Sequence, residues 1–266
     1  MGKSNIQWTD DTHNFWTGCR KVSAGCKYCY MYRLEESNGR NGNDIHRADD
    51  KYFSSPLHDK KPKMIFTCSM SDFFIEQADE WRDEAWRVIR NTPWHQWQIL
   101  TKRPERIKKC LPHDWGKTGY SNVWLGVTVE EQSTVGRIDQ LLSVPAVIYF
   151  VSAEPLLEEV SFIHAGKNLL DKINWIIIGG ESGNDFGNYR YRGCEVAWME
   201  KVLTDAKSND YTKVFVKQMG TSLAKKGIGS IIRNGKAISH HGDDFALFPK
   251  TLQVREMPEL RKSTLF

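Results

Sequence analysis

Six short apolar runs limit the fold more than any other feature of this chain. They are Met64-Ile65-Phe66-Thr67-Cys68, Trp97-Gln98-Ile99-Leu100-Thr101, Val123-Trp124-Leu125-Gly126-Val127, Val147-Ile148-Tyr149-Phe150-Val151, Trp175-Ile176-Ile177-Ile178 and Val214-Phe215-Val216. Runs this short, rich in β-branched and aromatic residues, suit strands covered on both faces. Segments with a helical period lie between them. In residues 79–90, Trp81, Ala85 and Ile89 fall on one stripe, and 135–142 and 196–207 read the same way. Strands alternating with helices predict an α/β fold with a parallel sheet. Six or seven strands fall short of the eight in a closed barrel. The expected fold is therefore a partial (β/α) TIM-like barrel, with an open sheet as the alternative.

The alternation stops near Thr221. Residues 1–220 are expected to form the barrel domain, and 221–266 a small irregular appendage or lid. Within the latter, Asn234-Gly235 between Ile231-Ile232 and Ala237-Ile238 predicts a hairpin. The polar stretch Asn38 to Asp50 predicts a loop.

Charged residues follow the apolar runs: Asp72 after the first, Lys102 and Arg103 after the second, then Glu130, Glu154, Glu181 and Lys217. The carboxyl ends of parallel strands share one face, where active sites of such folds lie. These seven residues are expected around one rim. The plainer alternative is that loops are polar wherever they occur.

Composition narrows the class. The chain is 40% hydrophobic and 26% charged, and no run approaches the ~20 apolar residues of a bilayer span. The N-terminal MGKSNIQWTDD has no apolar signal core, so a cytoplasmic location with reduced thiols is expected. A net charge of +4 is too mild for a dedicated polycationic binder. The 10 Trp, 9 Tyr and 12 Phe are mainly core material, though aromatics also stack on bases.

Three of the 6 cysteines, Cys19, Cys26 and Cys29, lie within GCRKVSAGCKYCY. In a reducing compartment such a cluster suggests a metal rather than disulfides. Zinc would want a fourth ligand, with His13 or Cys68 as candidates. That reading describes a zinc-stabilised protein that binds nucleic acid or a partner without catalysis. Alternatively, three thiolates hold a four-iron cluster and leave one iron open.

The second reading resembles the radical S-adenosylmethionine enzymes, which carry an open-iron cluster on a loop after the first strand of a partial barrel. Their usual motif leaves three residues between the first two cysteines and two between the last two. Here Lys27-Tyr28 fills the second gap, with Tyr28 in the aromatic place, but the first gap is the longer Arg20 to Gly25. A closer resemblance rests on TGCRKVSAGCKYCY, CSMSDFF, LTKRPER, VWLGVTVEE, SAEPLL, WIIIGGESG and VKQMG, in that order. Together they look like the phage and bacterial three-Cys-motif proteins, a family without an assigned function.

The resemblance implies a [4Fe-4S] cluster on Cys19, Cys26 and Cys29, and S-adenosyl-L-methionine as cofactor, with Tyr28 near the adenine. It also implies a reductant such as flavodoxin or ferredoxin, and leaves room for a partner protein. By strand-end position, Asp72 would meet the cofactor amine, Lys102 and Arg103 its carboxylate, and Glu130 or Glu154 the ribose. Glu181, in Gly179-Gly180-Glu181, would serve the ribose, the substrate or a structural pair. Lys217, Glu181 and Cys68 are candidates for the chemistry, Cys68 as a hydrogen donor or else as a small buried thiol. The expected substrate is a nucleic-acid base or nucleotide, modified or repaired. Phosphate contacts would come from Lys102 to Lys109 and from Tyr189-Arg190-Tyr191-Arg192. His240-His241 reads as an exposed loop, and Cys110 and Cys194 as incidental.

Overall fold

A computed structural model describes residues 2–164 and 166–259. The chain is an α/β protein built on one mostly parallel sheet. Its strands are β1 (Gly2–Lys3), β2 (Asp11–His13), β3 (Met64–Thr67), β4 (Gln96–Thr101), β5 (Val123–Thr128), β6 (Ile148–Ala153), β7 (Trp175–Gly179) and β8 (Lys213–Gln218). They lie in the sheet in their order along the chain. β1 pairs antiparallel with β2, and every later pair is parallel. A doubly wound sheet reverses its strand order at a switch point; this one never does. Sequential parallel strands joined by helical crossovers are the arrangement of a partial TIM-like barrel.

Side chains confirm that the sheet has an inside and an outside. Ile65, Trp97, Ile99, Leu125, Val151, Ile176 and Val214 pack with the helices α2 (Asp79–Arg90), α3 (Pro104–Cys110), α4 (Arg137–Leu142) and α5 (Val196–Lys207). Their neighbours Phe66, Trp124, Phe150, Trp175, Ile177 and Phe215 face the other way, into a separate cluster around Trp8. Strands alternate their side chains between faces, so a run that is apolar throughout fills both layers. The expected helices over 79–90 and 196–207 form at those bounds. The third begins two residues later, at Arg137, because Gln132–Thr134 first makes a 3-10 turn boxed by Glu131 and Thr134.

The open seam between β1 and β8 is filled from both ends of the chain. Trp8 stands edge-on to Trp175, 5.8 Å between ring centres. Residues 254–256 run beside β8: Val216 N donates to Val254 O at 2.9 Å, and Glu256 N to Val214 O at 2.8 Å. Residues after Thr221 thus join the main body, and Leu223, Phe248 and Leu252 are part of its core. Residues 260–266 of the expected appendage lie outside the described residues. The hairpin is present: Ile232–Arg233 pairs antiparallel with Lys236–Ala237. Asn234 and Gly235 turn it at φ 49° and 71°, the two positive values of a type I′ turn. Among the described residues no helix is long and apolar enough to cross a membrane.

Candidate active site

The three cysteines lie on the loop that leaves β2 and crosses the carboxyl ends of the other strands. It ends at α1 (Tyr30–Ser37), with Cys29 as the residue before the first turn. Cys26 is buried; Cys19 and Cys29 are half-buried. Burial, and then the Asp72 carboxylate, push the Cys19 thiol up to about 11 against the pull of Arg103, and Cys26 and Cys29 add to the rise. Burial also raises Cys29, where Lys102 and Lys21 oppose it and Cys26 adds to it. Among the described residues, no group of three or more His, Cys, Asp or Glu side chains is arranged to hold a metal ion.

Three strand-end carboxylates hold this loop in place. Asp72, after β3, accepts from Thr101 Oγ1 at 2.7 Å, Phe74 N at 2.9 Å, Lys102 N at 3.0 Å and Arg103 Nη1 at 3.1 Å. So fixed, Arg103 donates to Arg20 O at 2.6 Å and lies 3.8 Å from Cys19 Sγ. Glu130, after β5, is fully buried and accepts from Ser23 Oγ and from Arg137 Nη1, both at 2.6 Å. Burial would raise its pKa, but Lys102 and Arg137 nearby, with these two hydrogen bonds, hold it below the usual carboxylate value. Gly25 lies against the same side chain: a Cβ there would sit 2.5 Å from Glu130 Oε1. Glu181, after β7, grips Arg192 through both carboxylate oxygens and accepts its backbone N–H at 2.7 Å. Arg192 in turn donates to Ala24 O at 3.0 Å and lies over the Tyr28 ring at 5.4 Å.

The rest of the rim is more open. Lys217 Nζ donates to Glu154 Oε1 at 2.7 Å, and the two side chains remain 21% and 17% exposed. Tyr30 donates to Ser69 O at 2.6 Å. The residue is 44% exposed, but its hydroxyl is covered at this contact; that burial first, then the charges of Cys29 and Glu154, push its phenol upward. His240 and His241 are exposed, as expected; partial burial of the His241 ring lowers its pKa, opposed first by Asp243 and more weakly by Glu154, with Lys217 and Arg33 adding to the fall. Lys102 Nζ, 3.6 Å from Glu130, completes the ring of charge.

Of the seven expected charges, Arg103 and Glu130 touch the cysteine loop directly; Asp72 reaches it through Arg103 and Glu181 through Arg192, Lys102 stands beside Glu130, and Glu154 and Lys217 pair with each other. Cys68 lies elsewhere. It is 3% exposed, packs in the outer core with Phe15 and Trp16, and burial raises its thiol strongly; it is a small buried thiol. His13 is fully buried on the same outer side, stacked on Tyr52 at 4.8 Å, and burial lowers its pKa to about 3. Neither residue stands with the three cysteines. Cys110 accepts from Arg82 at 3.3 Å beside α2, and Cys194 is buried.

Of the expected phosphate contacts, Arg103, Arg106 and Arg192 are engaged within the protein, whereas Lys108, Lys109 and Arg190 are exposed. The Glu36 carboxylate, then burial, push the Tyr189 phenol up to about 12. Sequence reasoning missed the roles of Ser23, Tyr30 and Arg137. Ser23 and Tyr30 were within reach, since both lie inside the cysteine motif. Arg137 carries no local signal.

Fold and site together define an open (β/α) barrel with a three-cysteine loop clamped across its strand ends. Residues 3–256 match the model of a family described as a protein of unknown function, DUF5131, and the chain belongs to that family. No curated protein and no solved structure matches it.

Proposed function

We propose that the chain is a radical S-adenosylmethionine enzyme that acts on a nucleic-acid base or nucleotide. In this reading Cys19, Cys26 and Cys29 hold a [4Fe-4S] cluster, and S-adenosyl-L-methionine binds beside it at the barrel mouth. One observation carries the reading. The loop is held at Arg20, Ser23 and Ala24 from three separate strand ends, which fixes the backbone that presents the three thiols at the barrel mouth.

Three thiols on one short loop are the donor type and number that an open-iron cluster takes, and Arg103, 3.8 Å from Cys19 Sγ, favours the thiolate that such a cluster needs. When bound, cluster and cofactor supply one electron and a 5′-deoxyadenosyl radical that takes a hydrogen atom from the substrate. The chain's own residues orient the parts. Asp72 acts through Arg103, because its carboxylate already accepts four hydrogen bonds. Lys102 is the cation best placed to receive the cofactor carboxylate. Glu154 and Lys217 present an acceptor and a donor side by side, suited to the ribose or to the edge of a substrate. Glu181 serves Tyr28 and the loop through Arg192. A flavodoxin- or ferredoxin-like reductant supplies the electron, and a partner protein is compatible with the exposed rim.

The test is purification without air, with iron, sulfide and zinc counted, followed by S-adenosylmethionine and dithionite. About four irons per chain and release of 5′-deoxyadenosine are expected, both lost on Cys26→Ala. A colourless protein holding one zinc, or none that takes up iron on anaerobic reconstitution, would overturn the reading.

A further inference from the structure

The hairpin beside the mouth and the segment leading into it carry cations with no acid among them. Between Ala224 and Gly242 there are four cations, Lys225, Lys226, Arg233 and Lys236, and no acid; the whole chain has a net charge of only +4. Lys225 pairs with Asp185. No hydrogen bond or ion pair among the described residues engages the side chains of Lys226, Arg233 or Lys236.

The register sharpens this. Arg233 stands directly opposite Lys236 across the two strands. Like charges in that position are destabilising, and among the described residues no acid pairs with either. Ile238 N donates to Ile231 O at 2.9 Å, so Ile231 and Ile238 face each other two residues nearer the root. Because side chains alternate along a strand, these two isoleucines share a face with Arg233 and Lys236. They are 54% and 56% exposed. One face of the ribbon therefore bears two bare isoleucines beside two unpaired cations.

The root of the ribbon leads to the mouth. Met219 N donates to Gly242 O and Gly220 N to His241 O, both at 2.8 Å. These residues follow β8, whose Lys217 meets Glu154 at the rim.

We infer that this ribbon is a nucleic-acid-binding arm, with Arg233 and Lys236 on the phosphate backbone and Ile231 and Ile238 wedged against sugar and base. The inference rests on the proposed function, in which a base must leave its stack to reach the mouth. Apolar wedges at a step between bases open such stacks, and cations fix the backbone beside them. A polyanion removes the repulsion between Arg233 and Lys236, and a base face covers the isoleucines; a nucleic acid offers both within one strand.

Fluorescence anisotropy of a labelled 20-base-pair DNA duplex, titrated over a range of salt, tests the assignment. For Arg233→Ala with Lys236→Ala, the slope of log affinity against log salt should become shallower by about two. Ile231→Ser with Ile238→Ser should keep the slope, weaken binding, and abolish the fluorescence rise of a 2-aminopurine placed in the duplex. Lys108→Ala with Lys109→Ala, on the outer helix, should bind as the parent does. An unchanged slope in the arginine–lysine variant, an equal loss in the outer-helix control, or binding to phosphatidylserine vesicles but not to DNA would each overturn the arm. Iron is counted on the same samples. Hairpin-dependent binding by a chain that takes up no iron would sink the proposed function alone; a loaded chain with no hairpin effect would sink this inference alone.

Discussion

The two sides of the barrel mouth use the same residue types to opposite ends. On one side Asp72, Glu130 and Glu181 are buried, and each is committed to a cation that reaches or borders the cysteine loop. On the other, Glu154 and Lys217 hold only each other and remain partly open to solvent. A buried carboxylate with several donors is expensive to disturb, because losing one partner strands a charge away from water. A partly exposed pair contributes little to stability and can exchange its partner for a ligand. The contrast divides the rim into a frame that shapes the loop and a face left free for binding.

Glu130→Ala should break the frame most severely. It strands Arg137, frees Ser23 and opens space beside Gly25 in a single change. A loss of about 3–5 kcal/mol is expected from removing one member of a buried pair, measured by urea unfolding of the metal-free chain. The acid limb gives a second reading. The folded protein holds Glu130 below its ordinary value of 4.5, so its contribution is complete above that pH and fades as pH falls through the lower, folded value. The stability gap between parent and variant should therefore narrow on acidification below pH 4.5. A gap that stays constant down to the acid transition would show that folding does not lower the Glu130 pKa, and a gap that widens would show that the fold holds it protonated.

That role was only half legible in the sequence. The acids could be placed on one rim because the apolar runs counted out the strands. What each acid touches could not be read, because a strand-end carboxylate looks the same whether it faces a cofactor or an arginine. Arg137 lies a helical turn and more beyond Glu130, and Arg192 is in the loop after Glu181; only the folded crossover brings each back. Helix Asp79–Arg90 and the Asn234-Gly235 hairpin were legible because period and turn chemistry are local. β1 was not, since Gly2–Lys3 is too short and polar to carry a pattern. Trp8 was equally silent, as its place inside the seam depends on residues from the far end of the chain.

Arg192→Ala should have an intermediate effect and would sharpen the division of the rim. It leaves Glu181 with its buried carboxylate short of two donors and releases Ala24 O and the Tyr28 ring. A cost of about 1–3 kcal/mol follows for an under-satisfied buried acid. Since Arg192 reaches the loop between Ser23 and Gly25, the variant should also hold less iron after reconstitution, while Arg192→Lys recovers only part of it. A lysine cannot reproduce the two-oxygen grip. Full iron content in the alanine variant would move Arg192 out of the frame.

Lys217→Ala should cost least in stability and most in function relative to that cost. The pair it breaks is partly exposed, and such pairs contribute about 0–1 kcal/mol; Glu154, left alone, can still meet water. The variant should therefore unfold within about 1 kcal/mol of the parent and keep its iron. If the open face binds substrate or the ribose, cofactor cleavage or cofactor affinity should nevertheless fall, and Lys217→Arg should restore part of it by returning a donor to Glu154. A variant that instead loses several kcal/mol would place Lys217 in the frame.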